Sequence, residues 1–298
     1  MTPSVLFVLA IPSLFVLLWS TGWIAARYAA DHVDPFTFLS VRNFCGFSIV
    51  TAYCLAVGAN WPKRGADWLH GLFSGILLHA VYLGGVWWAV KHGLPAGVSG
   101  LIAALQPLMT TALAAPIAGE AVGVRQWLGV AAGFAGVLLV LAPKLITASP
   151  VLDQALIAPV IINLIAMIGV TLGTFYQKVT LDGADLRSLS ALQLFGAFLA
   201  TALAALIFED LNFPLTAPVL GALAWSVLVL SIFAWGLMAF MIRRGAVSKA
   251  AALVYLVPPT VAIQAWLAFG ETLTPLQMFG TAITAAGVYL ATRPAAAT

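Results

Sequence analysis

Leu105-Gln106-Pro107, then Ala118-Gly119-Glu120, then Gln126-Trp127-Leu128-Gly129 form a string of Pro, Gly, Glu and Gln inside apolar sequence that returns later in the chain. The second copy reads Val257-Pro258-Pro259, Phe269-Gly270-Glu271 and Gln277-Met278-Phe279-Gly280, displaced by 151 positions. The same displacement, without a gap, aligns Gly22 with Gly173, Arg27 with Lys178, Asp31 with Asp182, Asp34 with Asp185, Phe44 with Phe195 and Gly85 with Gly236. It also aligns Gly136 with Gly287 and Pro143 with Pro294. Leu and Ala coincide by chance between any two apolar helices, so the weight lies on these rarer residues. The chain reads as a duplication with repeats at residues 1–147 and 152–298 and no soluble domain.

Each repeat is built from long apolar runs. With 62% hydrophobic and 8% charged residues, the chain is far more apolar than a soluble domain, in which about a quarter of residues are charged. Runs of roughly 18 to 24 residues suffice to cross a hydrocarbon core of about 30 Å as helices. The expected spans are 4–26, 36–58, 68–90, 96–118, 124–142, 155–177, 188–208, 219–241, 247–269 and 275–292, an all-α polytopic membrane protein of ten helices. The first span lacks the basic n-region and small-residue cleavage site of a signal peptide and is expected to be retained. Five spans per repeat is an odd number, so the second copy enters the membrane from the other side, giving a 5+5 inverted repeat of the kind secondary transporters use.

Charge distribution sets the expected orientation. Lys63, Arg64, Arg125, Lys178, Arg187, Arg243, Arg244, Lys249 and Arg293 share the side of the N-terminus, against Arg27, Lys91 and Lys144 on the other. The positive-inside rule then places both termini in the cytoplasm. No solvated basic face suggests nucleic acid. Cys45 and Cys54 stand about 13 Å apart along one helix, beyond disulfide reach.

The repeated Pro, Gly-Glu and Gln-x-x-Gly signature resembles the EamA-type branch of the drug/metabolite transporter superfamily, over the whole chain. In that family each five-helix unit has a Pro within its fourth helix, a Gly-Glu at that helix's end and a Gln and Gly opening the fifth. Arg42 matches the family's basic residue in the second helix, although its repeat mate is Gln193. The resemblance implies export or exchange of metabolites across a bacterial inner membrane, with no cofactor, by a monomer or homodimer. The short loops and aromatic-rich helices look most like exporters of aromatic and other hydrophobic amino acids, with purines or drugs as the alternative cargo. The helices that line the family's central cavity would be the first, third, fourth, sixth, eighth and ninth.

Polar groups in hydrocarbon need partners, which makes them the first candidates for a solute site. His79 lies at the centre of the third span with Tyr82 three positions on, on the same face of a regular helix. Gln106 stands beside Pro107, and Asn163 lies in the sixth span. Pro107, and Pro258 with Pro259, kink their helices and free the carbonyls of Ala103, Val254 and Tyr255. Trp19, Trp235 and Tyr255 are deep enough to wall a pocket for an apolar side chain, whereas a packing role is the competing reading for each. Arg42 is expected to act as a gate, to contact a substrate carboxylate, or to snorkel to the surface. The Gly71/Gly75 pair and Gly129, Gly133 and Gly136 have small-residue spacing for close helix contact.

Enzyme chemistry finds no support: the sequence has no G-x-S-x-G elbow, no H-E-x-x-H helix and no aspartate pair on one face. A channel is the other rival, separable from a carrier by saturable, counterflow-stimulated flux. None of the 10 Asp and Glu residues falls in the middle of a span. Transport driven through a membrane carboxylate is therefore not expected. Facilitated export is expected instead, with coupling through His79 as the alternative.

Overall fold

The computed structural model describes residues 3–118, 122–146, 154–234, 236–237 and 256–292. The elements are helices α1 (Pro3–Ala30), α2 (Pro35–Ala56), α3 (Gly65–Lys91), α4 (Ala96–Ala103, continued as Leu105–Ala118), α5 (Val124–Ile146) and α6 (Gln154–Thr180). They continue with α7 (Leu186–Phe208), α8 (Ala217–Ala234), α9 (Val257–Phe269) and α10 (Pro275–Thr292). No strand occurs among the described residues, and seven of the described helices are long and apolar enough to cross a membrane. Most boundaries fall within a few residues of those expected. The exceptions are α8 and α9, most of whose remaining expected residues lie outside the described ones.

Two irregularities were not visible in the apolar runs. The α4 run breaks at Ala104, whose N–H donates to Leu101 O at 3.1 Å in a tighter turn. Pro107 explains the position: it supplies no amide to Ala103 O and crowds the turn before it. In addition, Ile76–Val81 within α3 and Trp225–Ala234 within α8 are π-helical. Shifted by 151 positions the first falls at 227–232, inside the second. Wide turns of this kind are rare and concentrate at functional sites.

The chain divides into two compact units. One comprises Met1–Ile24, Leu94–Ala158 and Phe233–Thr298; the other comprises Ala25–Gly93 and Pro159–Ile232. Each takes helices from both halves of the sequence, because α2 packs on α7, α4 on α9 and α5 on α10, pairs equivalent under the 151-residue shift.

In the first unit α5 packs on α10 through glycines. A methyl on Gly129 or Gly136 would meet the backbone of Gly287 or Gly280, each at 2.6 Å from a carbonyl oxygen. Residue numbers rise along one helix as they fall along the other, so the pair is antiparallel. Small residues let the backbones approach this closely. Two glutamines clasp the ends. Gln126 accepts from Gly123 N at 2.8 Å and donates through Nε2 to Ala291 O at 3.2 Å. Gln277 accepts from Thr274 N at 3.0 Å and donates to Val140 O at 3.2 Å. Each thus satisfies an amide at the start of its own helix and grips the other helix. Also in this unit, α4 meets α9 where Gly100 faces Val261 and Gly97 faces Ala262 and Ala265.

In the second unit α2 lies antiparallel to α7. Asn43 Nδ2 donates to Thr201 Oγ1 at 3.4 Å, and the rings of Phe44 and Phe47 pair with Phe198 and Phe195 at centroid distances of 5.2 and 4.8 Å. Helix α3 packs on α7 by backbone approach, Gly75 against Gln193 and Gly196 against Leu72. It meets α6 at Gly85 with Ala166, Val81 with Gly169 and Leu78 with Gly173. The small-residue stripe at Gly71 and Gly75 is therefore a packing face. Gln193, the repeat mate of Arg42, ties three helices together, donating to Ser74 Oγ at 3.1 Å and Gln177 Oε1 at 2.9 Å.

Carboxylates cap helices that cannot cap themselves. Asp34 makes no side-chain cap for α2 and instead pairs with Lys91 at 3.4 Å; Glu209, just past α7, accepts from Phe36 N at 2.9 Å and Thr37 N at 2.6 Å. Pro95 has no side-chain acceptor for α4, and Glu271 accepts from Ala96 N at 3.1 Å and Gly97 N at 3.0 Å. Gly270 makes the preceding turn with φ 68°, the left-handed conformation that closes a helix and swings Glu271 towards α4. An anionic group at a helix N-terminus is favoured by the aligned amides. Glu271 thus serves the fold, while its repeat mate Glu120 lies outside the described residues.

Asp185 caps α7, accepting from Arg187 N at 3.0 Å, and binds Asn60 N at 3.0 Å across to the loop after α2. The hydrogen-bonded Arg187 guanidinium beside it holds its carboxyl well below the usual carboxylate range.

Candidate functional site

The candidate residues divide between the two units. In the second unit His79 lies inside the π segment of α3 and Tyr82 immediately follows it, both half-buried. A π turn advances fewer degrees per residue than an α turn, so the two side chains diverge more than three positions on a regular helix would allow. Asn163 is fully buried on α6, between Ile162 and Ala166, the residues that face Gly85 of α3.

Arg42 is buried at 8% exposure rather than extended to the surface. Its Nε donates to Ser226 O at 3.4 Å and its Nη2 to Ser231 Oγ at 3.0 Å. Ser231 Oγ also donates to Ser226 O at 3.0 Å, a spacing of five residues that the π geometry creates. The guanidinium therefore sits against the irregular stretch of α8, and snorkelling is not its role.

In the first unit Trp19 is half-buried, with its ring 5.4 Å from Phe15 in a tilted contact. Its neighbour Trp23, buried, donates to Ser99 Oγ at 3.2 Å and so joins α1 to α4. Gln106 and Pro107 are half-buried just after the α4 break, and Gln106 O accepts from Thr110 Oγ1 at 2.9 Å. Pro258 is buried and Pro259 half-buried in the first turn of the described part of α9. Trp235 and Tyr255 lie outside the described residues.

A pocket of about 120 Å³ in the first unit is lined by Gly97, Ala262, Glu271 and Gln277, and one of about 190 Å³ in the second by Asp34, Trp88, Lys91 and Glu209. Both fall below the roughly 300 Å³ typical of small-molecule sites. They are the clefts around the two capping carboxylates.

The sequence reading missed the serines at positions 226 and 231 and the cap at Glu209. The serines had a weak signal in polar residues five apart within an apolar span. Glu209 has none under the repeat, since its mate is Gly58.

A bundle of long apolar helices, seven of the described ones long enough to span a bilayer, defines a polytopic membrane protein. The chain belongs to the EamA-like transporter family, which it matches over residues 6–142 and again over 157–293, two segments that begin 151 positions apart. It is 24% identical over 286 residues to a protein of Salmonella typhimurium described as a probable amino-acid metabolite efflux pump, covering 93% of this chain and 92% of that one. It is 25% identical over 281 residues to YedA of Escherichia coli strain K12, an uncharacterised inner membrane transporter, covering 93% and 87% respectively. A solved crystal structure shares the fold at a TM-score of 0.67 and 20% identity, over 95% of this chain and 96% of that one.

Proposed function

We propose that this protein is a secondary transporter that exports hydrophobic amino acids, aromatic ones included, from a bacterial cytoplasm by alternating access. In this reading ten spans form a 5+5 inverted repeat with both termini cytoplasmic. A midplane cavity is lined by His79, Tyr82, Gln106, Asn163, Trp19, Tyr255 and Trp235, and the kinks at Pro107, Pro258 and Pro259 open it.

The observation that carries the reading is the antiparallel pairing of equivalent helices, α2 with α7 and α5 with α10, in a chain that matches its family twice. Equivalent helices of opposite direction are what an inverted repeat requires, and such repeats exchange access by rocking around a fixed central site. The amino-acid cargo is supported by the Salmonella relative and by the aromatic candidates. None of the residues assigned to the cavity is a carboxylate, which favours facilitated export down the solute's own gradient over coupling through His79.

The test is flux of a labelled amino-acid panel in proteoliposomes, with nucleobases and cationic drugs as competitors. Saturable uptake of a hydrophobic amino acid, accelerated by the same amino acid on the other side, is expected. Competition by nucleobases alone would reassign the cargo, and flux without counterflow stimulation would indicate a pore.

A further inference from the structure

Arg42 is a buried cation without a carboxylate. Arg27 pairs with Asp31, Lys91 with Asp34 and Arg187 with Asp185, whereas Arg42 has no carboxylate among the described residues within ion-pair distance. A guanidinium has five N–H donors. Here its partners are two neutral oxygens, one of them at a distance where a hydrogen bond is weak. Leaving a charge this deep in a spanning helix uncompensated is costly.

Ser226 adds the second observation. Its carbonyl receives Arg42 Nε and Ser231 Oγ, while its own hydroxyl is fully buried and has no hydrogen-bond partner. A buried hydroxyl without a partner is expensive in the bilayer, and beside an arginine it is a donor in waiting. Ser231, whose hydrogen is directed to Ser226 O, presents only lone pairs to Arg42 and holds the guanidinium in place.

We infer that Arg42 and the Ser226 hydroxyl form an oxyanion site that takes the carboxylate of the exported solute. Spare guanidinium N–H groups and the Ser226 O–H donate to the carboxylate oxygens, and Ser231 is a positioning residue. The inference rests on the export reading and adds to it the chemical group recognised. It gives the π turn of α8 a purpose, since the five-residue spacing brings Ser231 Oγ onto Ser226 O and leaves the Ser226 hydroxyl unused. Solutes lacking a carboxylate lose the charge-assisted contacts and are discriminated against.

The test uses the purified full-length protein in detergent and its thermal stability with 3-phenylpropionate, phenylalanine, phenethylamine, or sodium chloride at equal ionic strength. Both carboxylates should stabilise the wild type and the amine should not. Arg42→Gln should abolish the effect, Arg42→Lys should weaken it, and Ser226→Ala should weaken carboxylate affinity by about tenfold, the scale of one hydrogen bond to a charged group. Because the Ser226 hydroxyl makes no hydrogen bond in the folded chain, Ser226→Ala should not lower unliganded stability, so a loss of carboxylate protection reports binding even where Arg42→Gln folds poorly. Equal stabilisation by the amine, or full protection by carboxylate in Ser226→Ala, would overturn the site. Protection by chloride as strong as by carboxylate would make it a counter-ion site and overturn the solute assignment. If wild type moves no amino acid in proteoliposomes but is stabilised by 3-phenylpropionate, the site stands and the cargo reading fails. If phenylalanine flux is unchanged in Arg42→Gln, the cargo reading stands and the site fails.

Discussion

The paired glutamines at the ends of α5 and α10 allow a stability prediction with internal controls. Gln126→Ala removes a helix-start cap, about 1 kcal/mol, and one interhelical hydrogen bond, about 0.6 kcal/mol in a membrane protein. Gln277→Ala removes the equivalent two. Each substitution should therefore cost about 1.5 kcal/mol. The two clasps grip opposite ends of the pair, Gln126 and Val140 standing about 21 Å apart along α5 at 1.5 Å per residue. At that separation the effects should add, to about 3 kcal/mol in the double variant. Gln126→Glu separates the components, because a carboxylate still accepts from Gly123 N but cannot donate to Ala291 O. It should lose less than half of what Gln126→Ala loses. Reversible unfolding in mixed micelles with increasing sodium dodecyl sulfate, followed by tryptophan fluorescence, supplies the measurement. A double variant no less stable than the worse single one, or a glutamate variant as damaged as the alanine variant, would refute the two-ended clasp.

His79→Ala should reduce solute affinity about tenfold, the equivalent of one hydrogen bond of about 1.4 kcal/mol, at near-normal expression. Gly287→Leu should instead abolish folded protein, since any side chain there meets the backbone of Gly129 and Gly133; quantitative fluorescence size-exclusion chromatography distinguishes the two outcomes. An imposed pH gradient without a membrane potential should not drive uphill accumulation in proteoliposomes, and accumulation that disappears in His79→Gln would transfer coupling to the histidine. Asp185→Asn should cost about 1 kcal/mol at neutral pH through the weakened cap. Because the folded-state pKa of Asp185 is depressed, its contribution is present above the ordinary carboxylate pKa of about 3.9 and is lost as pH falls below it. The difference between wild type and Asp185→Asn should therefore narrow in thermal melts run at increasingly acid pH, and a gap that widens would contradict the assignment.

The sequence by itself determined the apolar runs, the 151-residue duplication and the family, because each is a matter of composition and spacing along the chain. Gly129, Gly133 and Gly136 could be read as a close packing face for the same reason: a bare backbone at helical spacing has few other uses in a bilayer. Partner choice was not written there. That α2 pairs with α7, that Glu209 and Glu271 cap helices other than their own, and that Arg42 turns to Ser226 and Ser231 all depend on contacts between residues distant in sequence. The π turns were hidden for a different reason. An extra residue in one turn leaves an apolar run equally apolar, yet it rotates every side chain beyond it, so the divergence of His79 from Tyr82 and the exposure of Ser226 O to Arg42 were decided only when the helices packed.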